Sequence, residues 1–154
     1  MESPESASKL VQDAVAAVRD RVESRGIYLQ TEVAPDLPDV LVDRMQIDTV
    51  LNNLIVNALD AATESSAPSR VRIVARGDGA RAVAIDVEDS GSGIAPAIRH
   101  LLFEPLATTK PAGMGLGLAI SRTIVQAHGG RLWLLREQPT TFRFTLPVHA
   151  PDTT

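Results

Sequence analysis

Asn53 and Asn57 stand four residues apart in a run whose apolar members, Leu51, Leu54, Ile55, Ala58, Leu59 and Ala62, recur at helical spacing. On a helix that spacing puts both amides on one face, one turn apart. An amide oxygen is a neutral hard ligand suited to Mg²⁺ beside phosphates, and an amide NH₂ donates to a phosphate oxygen. Taken alone, the same pair reads more readily as plain helix-surface amides. A second cluster is Val87-Glu88-Asp89-Ser90-Gly91-Ser92-Gly93-Ile94. There a carboxylate closes a strand-like run and glycines follow at alternate positions. Glycine lets backbone approach a flat ligand without a Cβ clash, and a carboxylate in such a slot can accept from an exocyclic amine like that of adenine. Read alone, the segment is as well explained as a turn. A third cluster, Gly113-Met114-Gly115-Leu116-Gly117-Leu118, opens into a helical pattern. Unpaired N–H groups at a helix start, reached through glycines, make an anion site. A dinucleotide fingerprint is excluded, because the glycines follow a proline-containing loop and no βαβ unit surrounds them. Thr108-Thr109-Lys110 precedes them without Walker spacing.

These residues need elements to position them. Apolar spacing from Ala7 to Ser24 predicts one amphipathic helix stopped by Gly26. Alternation over Ile27–Val33 predicts a half-buried strand, and Val40–Val42 a very short one. Asp43 is the expected N-cap of a long helix from Arg44 to Glu64. Val71–Ala75 and Ala82–Val87 form a hairpin about Gly77-Asp78-Gly79, with Arg70, Arg72, Arg76 and Arg81 on its wet side or rims. A short helix is expected over Ala95–Leu102, a loop over Phe103–Gly113, and a helix over Leu116–His128 ended by Gly129-Gly130. Arg131–Arg136 and Thr141–Leu146 close the chain as paired strands. Residues 1–6 read as a disordered start, 7–147 as one domain and 148–154 as a tail. The order predicts an α/β fold: a two-layer α/β sandwich, its mixed, mostly antiparallel sheet covered on one face by helices.

Composition narrows the function. A chain of 154 residues with 44% hydrophobic and 22% charged residues is that of one globular domain. A net charge of -4 argues against nucleic-acid binding by a basic surface, and gives no reason for contact with an anionic membrane. The absence of cysteine excludes disulfides, thiolate metal sites and a cysteine nucleophile. No apolar stretch approaches the ~20 residues of a membrane span, and the expected compartment is the cytoplasm.

Taken together and in order, the clusters resemble the catalytic, ATP-binding domain of sensor histidine kinases, within the superfamily of gyrase, heat-shock chaperone, histidine kinase and MutL ATPases. The resemblance runs from Leu10 to Leu146. Asn53-Leu54-Ile55-Val56-Asn57-Ala58 is similar to the family's N box and Asp89-Ser90-Gly91-Ser92-Gly93-Ile94 to its G1 box. Leu102 to Lys110 resembles the F box, with Leu106 where phenylalanine is more usual. Gly113-Met114-Gly115-Leu116-Gly117-Leu118-Ala119-Ile120 resembles the G2 box, and Ala127-His128-Gly129-Gly130 is typical too. In motif style the chain is similar to nitrogen-regulation and oxygen-sensing kinases.

The resemblance implies a Bergerat-type sandwich that binds ATP with Mg²⁺. Asp89 would accept from the adenine 6-amino group, with Gly91, Gly93 and Ile94 beside it. Asn57 would ligate Mg²⁺, and Asn53 would support the phosphates or the metal. Gly113, Gly115 and Gly117, with Met114, Leu116 and Leu118, would offer backbone N–H groups to the phosphates. Lys110 would bring positive charge from a lid that also holds Phe103 and Thr109. The family's usual lysine three residues past the second N-box asparagine is Asp60 here, so Lys110 or Arg122 would take over its charge. The implied partners are ATP or ADP, a histidine-containing dimerisation domain and, through it, a response regulator. The isolated domain would be monomeric. Of the histidines His100, His128 and His149, none begins a His-Glu or His-Asp pair, so the phosphoacceptor is not in this chain. A gyrase-like hydrolase or an anti-sigma-factor serine kinase is the alternative. Both usually carry an acidic residue where this chain has Asn53, and an amide cannot act as a general base.

Overall fold

In the computed structural model, residues 1–64, 68–91, 93–94, 102–104 and 114–150 are described. They form β1 (Ser3–Glu5), α1 (Ala7–Ala17), α2 (Arg19–Ser24), β2 (Tyr28–Val33), β3 (Val40–Val42), α3 (Arg44–Glu64), β4 (Arg70–Asp78), β5 (Ala82–Asp89), α4 (Met114–Ala127), β6 (Leu132–Glu137) and β7 (Thr140–Pro147). The main sheet has the order β2-β4-β5-β7-β6. Only the β2·β4 pair is parallel; the other neighbours run antiparallel. The α1, α3 and α4 helices pack on one face and share one core with it. The two-layer sandwich expected from the element order is the architecture observed.

The central element is α3. Its face Ile47, Val50, Leu51, Leu54, Ile55, Ala58, Leu59 and Ala62 is buried, against Val71, Ile73 and Ala75 of β4 and Val83, Ile85 and Val87 of β5. Asp43 caps it as expected, its Oδ1 accepting from the Gln46 N–H at 3.3 Å. The N-terminal ammonium, 2.6 Å from Oδ2, and the Gln46 N–H together hold the Asp43 carboxyl below its ordinary value. His128 ties this end of α3 to the far end of α4. Its Nε2 accepts from the Asp43 N–H at 3.1 Å and its Nδ1 lies 2.8 Å from the Ile124 carbonyl. A carbonyl only accepts, so Nδ1 carries the proton. His128 therefore sits at the helix end as a buried bridge between the two helices.

Several boundaries depart from expectation. The start is ordered: Ser3–Glu5 pairs antiparallel with β3, which no local pattern in so short a polar segment reveals. The first helix is broken at Val18, whose φ of -108° and ψ of 6° leave the helical region. Val18 stays in the core while α2 buries none of its residues. The hairpin turn lies at 79–81, two residues past the predicted one, because β4 runs on to Asp78. The tail is tied at its root. Val148 bridges to Val40, and its N–H and that of His149 donate to the carbonyls of Arg81 and Asp39. The short helix expected over Ala95–Leu102, the loop over Phe103–Gly113 and His100 lie largely or wholly outside the described residues.

Gly129 ends α4 at a φ of +82°, and Gly130 then meets β7. A Cβ on Gly130 would overlap the Thr145 carbonyl, a backbone group that cannot swing aside. Gly130→Ala is therefore expected to lower stability by about 1–3 kcal/mol, the usual cost of overpacking. Thermal unfolding monitored by circular dichroism measures it, and an unchanged midpoint would refute the close approach.

Candidate functional site

The β5 strand assigns its side chains to two faces with period two. Val83, Ile85 and Val87 face the helices, and Asp89 continues that row, 6% exposed, at the end of the apolar face. Its Oδ1 accepts from the Gly91 N–H at 2.8 Å. Gly91 in turn lies against α3: a Cβ there would be 2.8 Å from the Ala61 carbonyl oxygen and 2.8 Å from the Asp89 carboxylate. Glycine is required by this approach. Gly93, at a φ of +91°, sits over Glu137 and Gln138, and Ile94 packs on the core.

The Asn53 amide points at α4. Its Nδ2 is 3.4 Å from the Gly117 carbonyl and 3.2 Å from Ser121 Oγ. One turn on, the Nδ2 of Asn57 is buried and has no hydrogen-bond partner among the described residues. A buried donor left in this state costs roughly 1–3 kcal/mol, and an acceptor that reaches it recovers that energy. The α4 helix begins at Met114, two residues earlier than the sequence suggested. The N–H groups of the helix without an intrahelical partner therefore belong to its first turn, Met114, Gly115 and Leu116. Leu118 lies past that turn, 1% exposed in the core, so it packs rather than offering an N–H to phosphates.

The Phe103 ring is fixed at the edge of the core. It meets Phe142 edge-to-face at 6.1 Å, and the Arg122 guanidinium lies 5.0 Å above it. That stacking places Arg122 on the F-box phenylalanine. Asp60 has a partner of its own: its Oδ1 is 2.7 Å from Nη1 of Arg25, which reaches over from the end of α2. Glu88, though adjacent to Asp89, faces the opposite side of the sheet and is 3.3 Å from Arg136. Thr109, Lys110 and Gly113 lie outside the described residues.

That opposite side carries a second charged cluster. Asp86, 5% exposed, is held by Arg143 through Nε at 2.6 Å and Nη2 at 2.8 Å, with Arg76 at 3.3 Å. This fork keeps the Arg143 guanidinium above its ordinary value. Arg72 pairs with Glu32 at 2.6 Å. The hairpin arginines Arg72 and Arg76 are thus cross-strand partners of carboxylates, where the sequence showed only a wet face. Two residues beside the candidate site escaped the sequence reading. Arg25 left no local signal, because its partner is remote in sequence. Ser121 did leave one, as a small hydroxyl one turn past Gly117 on an otherwise apolar helix face.

Over residues 42–150 the chain matches the family described as Histidine kinase-, DNA gyrase B-, and HSP90-like ATPase. The chain belongs to that family. Its relatives include the sensor protein FixL of Bradyrhizobium diazoefficiens, 40% identical over 147 residues, which cover 94% of this chain and 29% of FixL. The alginate biosynthesis sensor protein KinB of Pseudomonas aeruginosa is 40% identical over 82% of this chain and 21% of its own. The chain thus spans less than a third of these sensor proteins' length. Among solved structures, the catalytic domain of the histidine kinase ThkA superposes with a TM-score of 0.85 at 29% identity, covering 96% of both chains. The full-length kinase ShkA, solved in complex with AMPPNP, gives a TM-score of 0.80 at 26% identity, over 96% of this chain and 30% of that one. This is the fold of a histidine-kinase catalytic ATPase domain.

The contact between Gly91 and α3 yields a prediction. Gly91→Ala is expected to push the Asp89 loop off Ala61 and lower stability by about 1–3 kcal/mol. Urea unfolding read by tryptophan fluorescence of Trp133 measures the loss, and a wild-type midpoint would show that the loop and α3 are not in contact.

Proposed function

We propose that the domain binds ATP with Mg²⁺ between α3, α4 and the end of β5, and transfers the γ-phosphoryl group to a histidine on a separate dimerisation domain. The observation that carries the proposal is the pairing of a buried carboxylate, Asp89, with a buried, partnerless amide donor on Asn57, on elements held together by the Gly91–Ala61 contact. Asp89 accepts from the adenine amine, and Gly91, Gly93 and Ile94 line the base. The N–H groups of the first turn of α4, reached through Gly113 and Gly115, receive phosphate oxygens. Lys110 supplies positive charge to the γ-phosphate. The solved complex of ShkA with AMPPNP supports a nucleotide in this fold.

The donor set suits Mg²⁺. The described residues contain no cluster of three or more His, Cys, Asp and Glu that could hold a metal, while two neutral amides fit a hard cation that brings phosphate oxygens as further ligands. Asn57, with Asn53, would hold it. When bound, such a cation neutralises charge developing on the phosphate oxygens. In the transfer, a nitrogen of the acceptor imidazole attacks the γ-phosphorus, a P–N bond forms, and the bond to the β–γ bridging oxygen breaks. ADP leaves with that electron pair. The chain's own residues position the triphosphate.

Hydrolysis is disfavoured on the same grounds. Asn53 cannot take a proton from water. Of the nearby carboxylates, Asp60 is engaged by Arg25, and Glu88 lies on the other side of the sheet with Arg136. A response regulator is the proposed downstream partner, supported by the solved complex of ThkA with the response regulator TrrA. The parent protein can be membrane-anchored; in this chain no described helix is long and apolar enough to cross a membrane.

Two measurements test this reading. Incubated with labelled ATP and a histidine-bearing dimerisation domain, the chain is expected to give an acid-labile, base-stable phosphoprotein and to turn over ATP very slowly when alone. Brisk hydrolysis alone, or an acid-stable product, would favour the hydrolase or serine-kinase alternative. In calorimetry ATP is expected to bind well and GTP poorly, and Asp89→Asn to weaken ATP by about 1–3 kcal/mol. Equal affinity for ATP and GTP would remove Asp89 from base recognition.

A further inference from the structure

We propose that Ser121 is a positioning residue for Asn53, fixing its amide so that Oδ1 is the atom Asn53 offers to bound nucleotide. The inference rests on the nucleotide reading above and divides the labour of the two asparagines. A carbonyl oxygen cannot donate, so the end of the Asn53 amide facing the Gly117 carbonyl at 3.4 Å must be the NH₂. That contact is long and decides direction more than it supplies strength. The Ser121 hydroxyl, at 3.2 Å from the same nitrogen, is the shorter and better acceptor. Ser121 is 0% exposed, so water cannot take over its place. An NH₂ has two protons, and two acceptors on α4 occupy them.

What remains to Asn53 is an acceptor. It can receive from a water or coordinate a cation, and it is poorly placed to donate to a phosphate oxygen. Asn57 is its complement, since its buried nitrogen lacks an acceptor. Asn57 can thus ligate the cation through its Oδ1 and still donate from its nitrogen to a phosphate oxygen, whereas Asn53 has only its Oδ1 to offer. The hydroxyl that sets this polarity is on α4, while both amides are on α3, so the docking of the two helices is read out as the orientation of one side chain.

Calorimetry of ATP binding, with Mg²⁺ and with a chelator, tests the proposal on the wild type, Ser121→Ala, Asn53→Ala and the double variant. Ser121→Ala is expected to lose about tenfold in affinity with Mg²⁺ and to stay within about twofold without it, as loss of a group that orients a metal ligand does. Asn53→Ala should show the same pattern, and the double variant no further loss. Ser121→Cys, which keeps the shape at slightly larger size but is a weaker acceptor, should fall between wild type and Ser121→Ala, and serves if the alanine variant does not fold. The lock is also read without ligand. The Asn53 side-chain NH₂ resonances of the wild type should exchange slowly with solvent, and those of the Ser121 variants fast. An unchanged Mg²⁺ effect, an equal loss with and without Mg²⁺, or fast exchange in the wild type would overturn the proposal. Failure of the wild type to bind ATP under either condition would instead refute the nucleotide reading, with the exchange measurement still deciding the lock.

Discussion

The backbone approach of Gly91 to Ala61 is the constraint on which the candidate site depends. It brings the end of β5 against α3 so closely that a Cβ has no room. Because of it, a carboxylate that ends one element and an amide stripe that runs along another face the same space. The approach is possible because α3 is held along its buried face and at its N-terminal end. Its apolar face is buried on β4 and β5, its N-terminus is capped by Asp43, and His128 joins that cap to the end of α4. The site is thus a consequence of how one long helix is clamped.

Charge is partitioned by the sheet. Period two along β5 sends Asp86 and Glu88 to the open side, where Arg143, Arg76 and Arg136 pair with them, and sends Asp89 to the helix side. Adjacent residues in sequence so acquire opposite environments. Asp60, on the rim of α3, is likewise occupied by Arg25. Carboxylates that could have activated water are engaged elsewhere, and the helix side keeps amides and one buried carboxylate. That distribution suits phosphoryl transfer, which relies on positioning and charge stabilisation more than on a base.

Much of this was legible in the sequence. The apolar period of α3, the Asp43 cap, the alternation of β4 and β5 and the glycine after α4 are local patterns, and local patterns report local structure. The amide pair and the carboxylate before alternating glycines were legible for the same reason. What escaped was non-local. β1 is a three-residue strand that exists only because β3 is there to pair with it. The Arg25–Asp60 pair, the His128 bridge and the outer-face network each join residues remote in sequence, and neither partner carries a pattern that names the other. Leu118 misled because glycine spacing continues into α4 past the point where helix N–H groups remain unpaired.

The central claim is that nucleotide enters between α3 and the end of β5, on the helix side of the sheet. The most direct measurement is a map of amide chemical-shift changes on adding a non-hydrolysable ATP analogue with Mg²⁺ to the isotope-labelled domain. The account predicts the largest changes at the Asn53 and Asn57 side chains, Asp89, Gly91 and the first turn of α4, with the β-sheet positions Arg76, Thr141 and Arg143 unmoved. Changes centred on that outer charged face, or none at the asparagines, would contradict it.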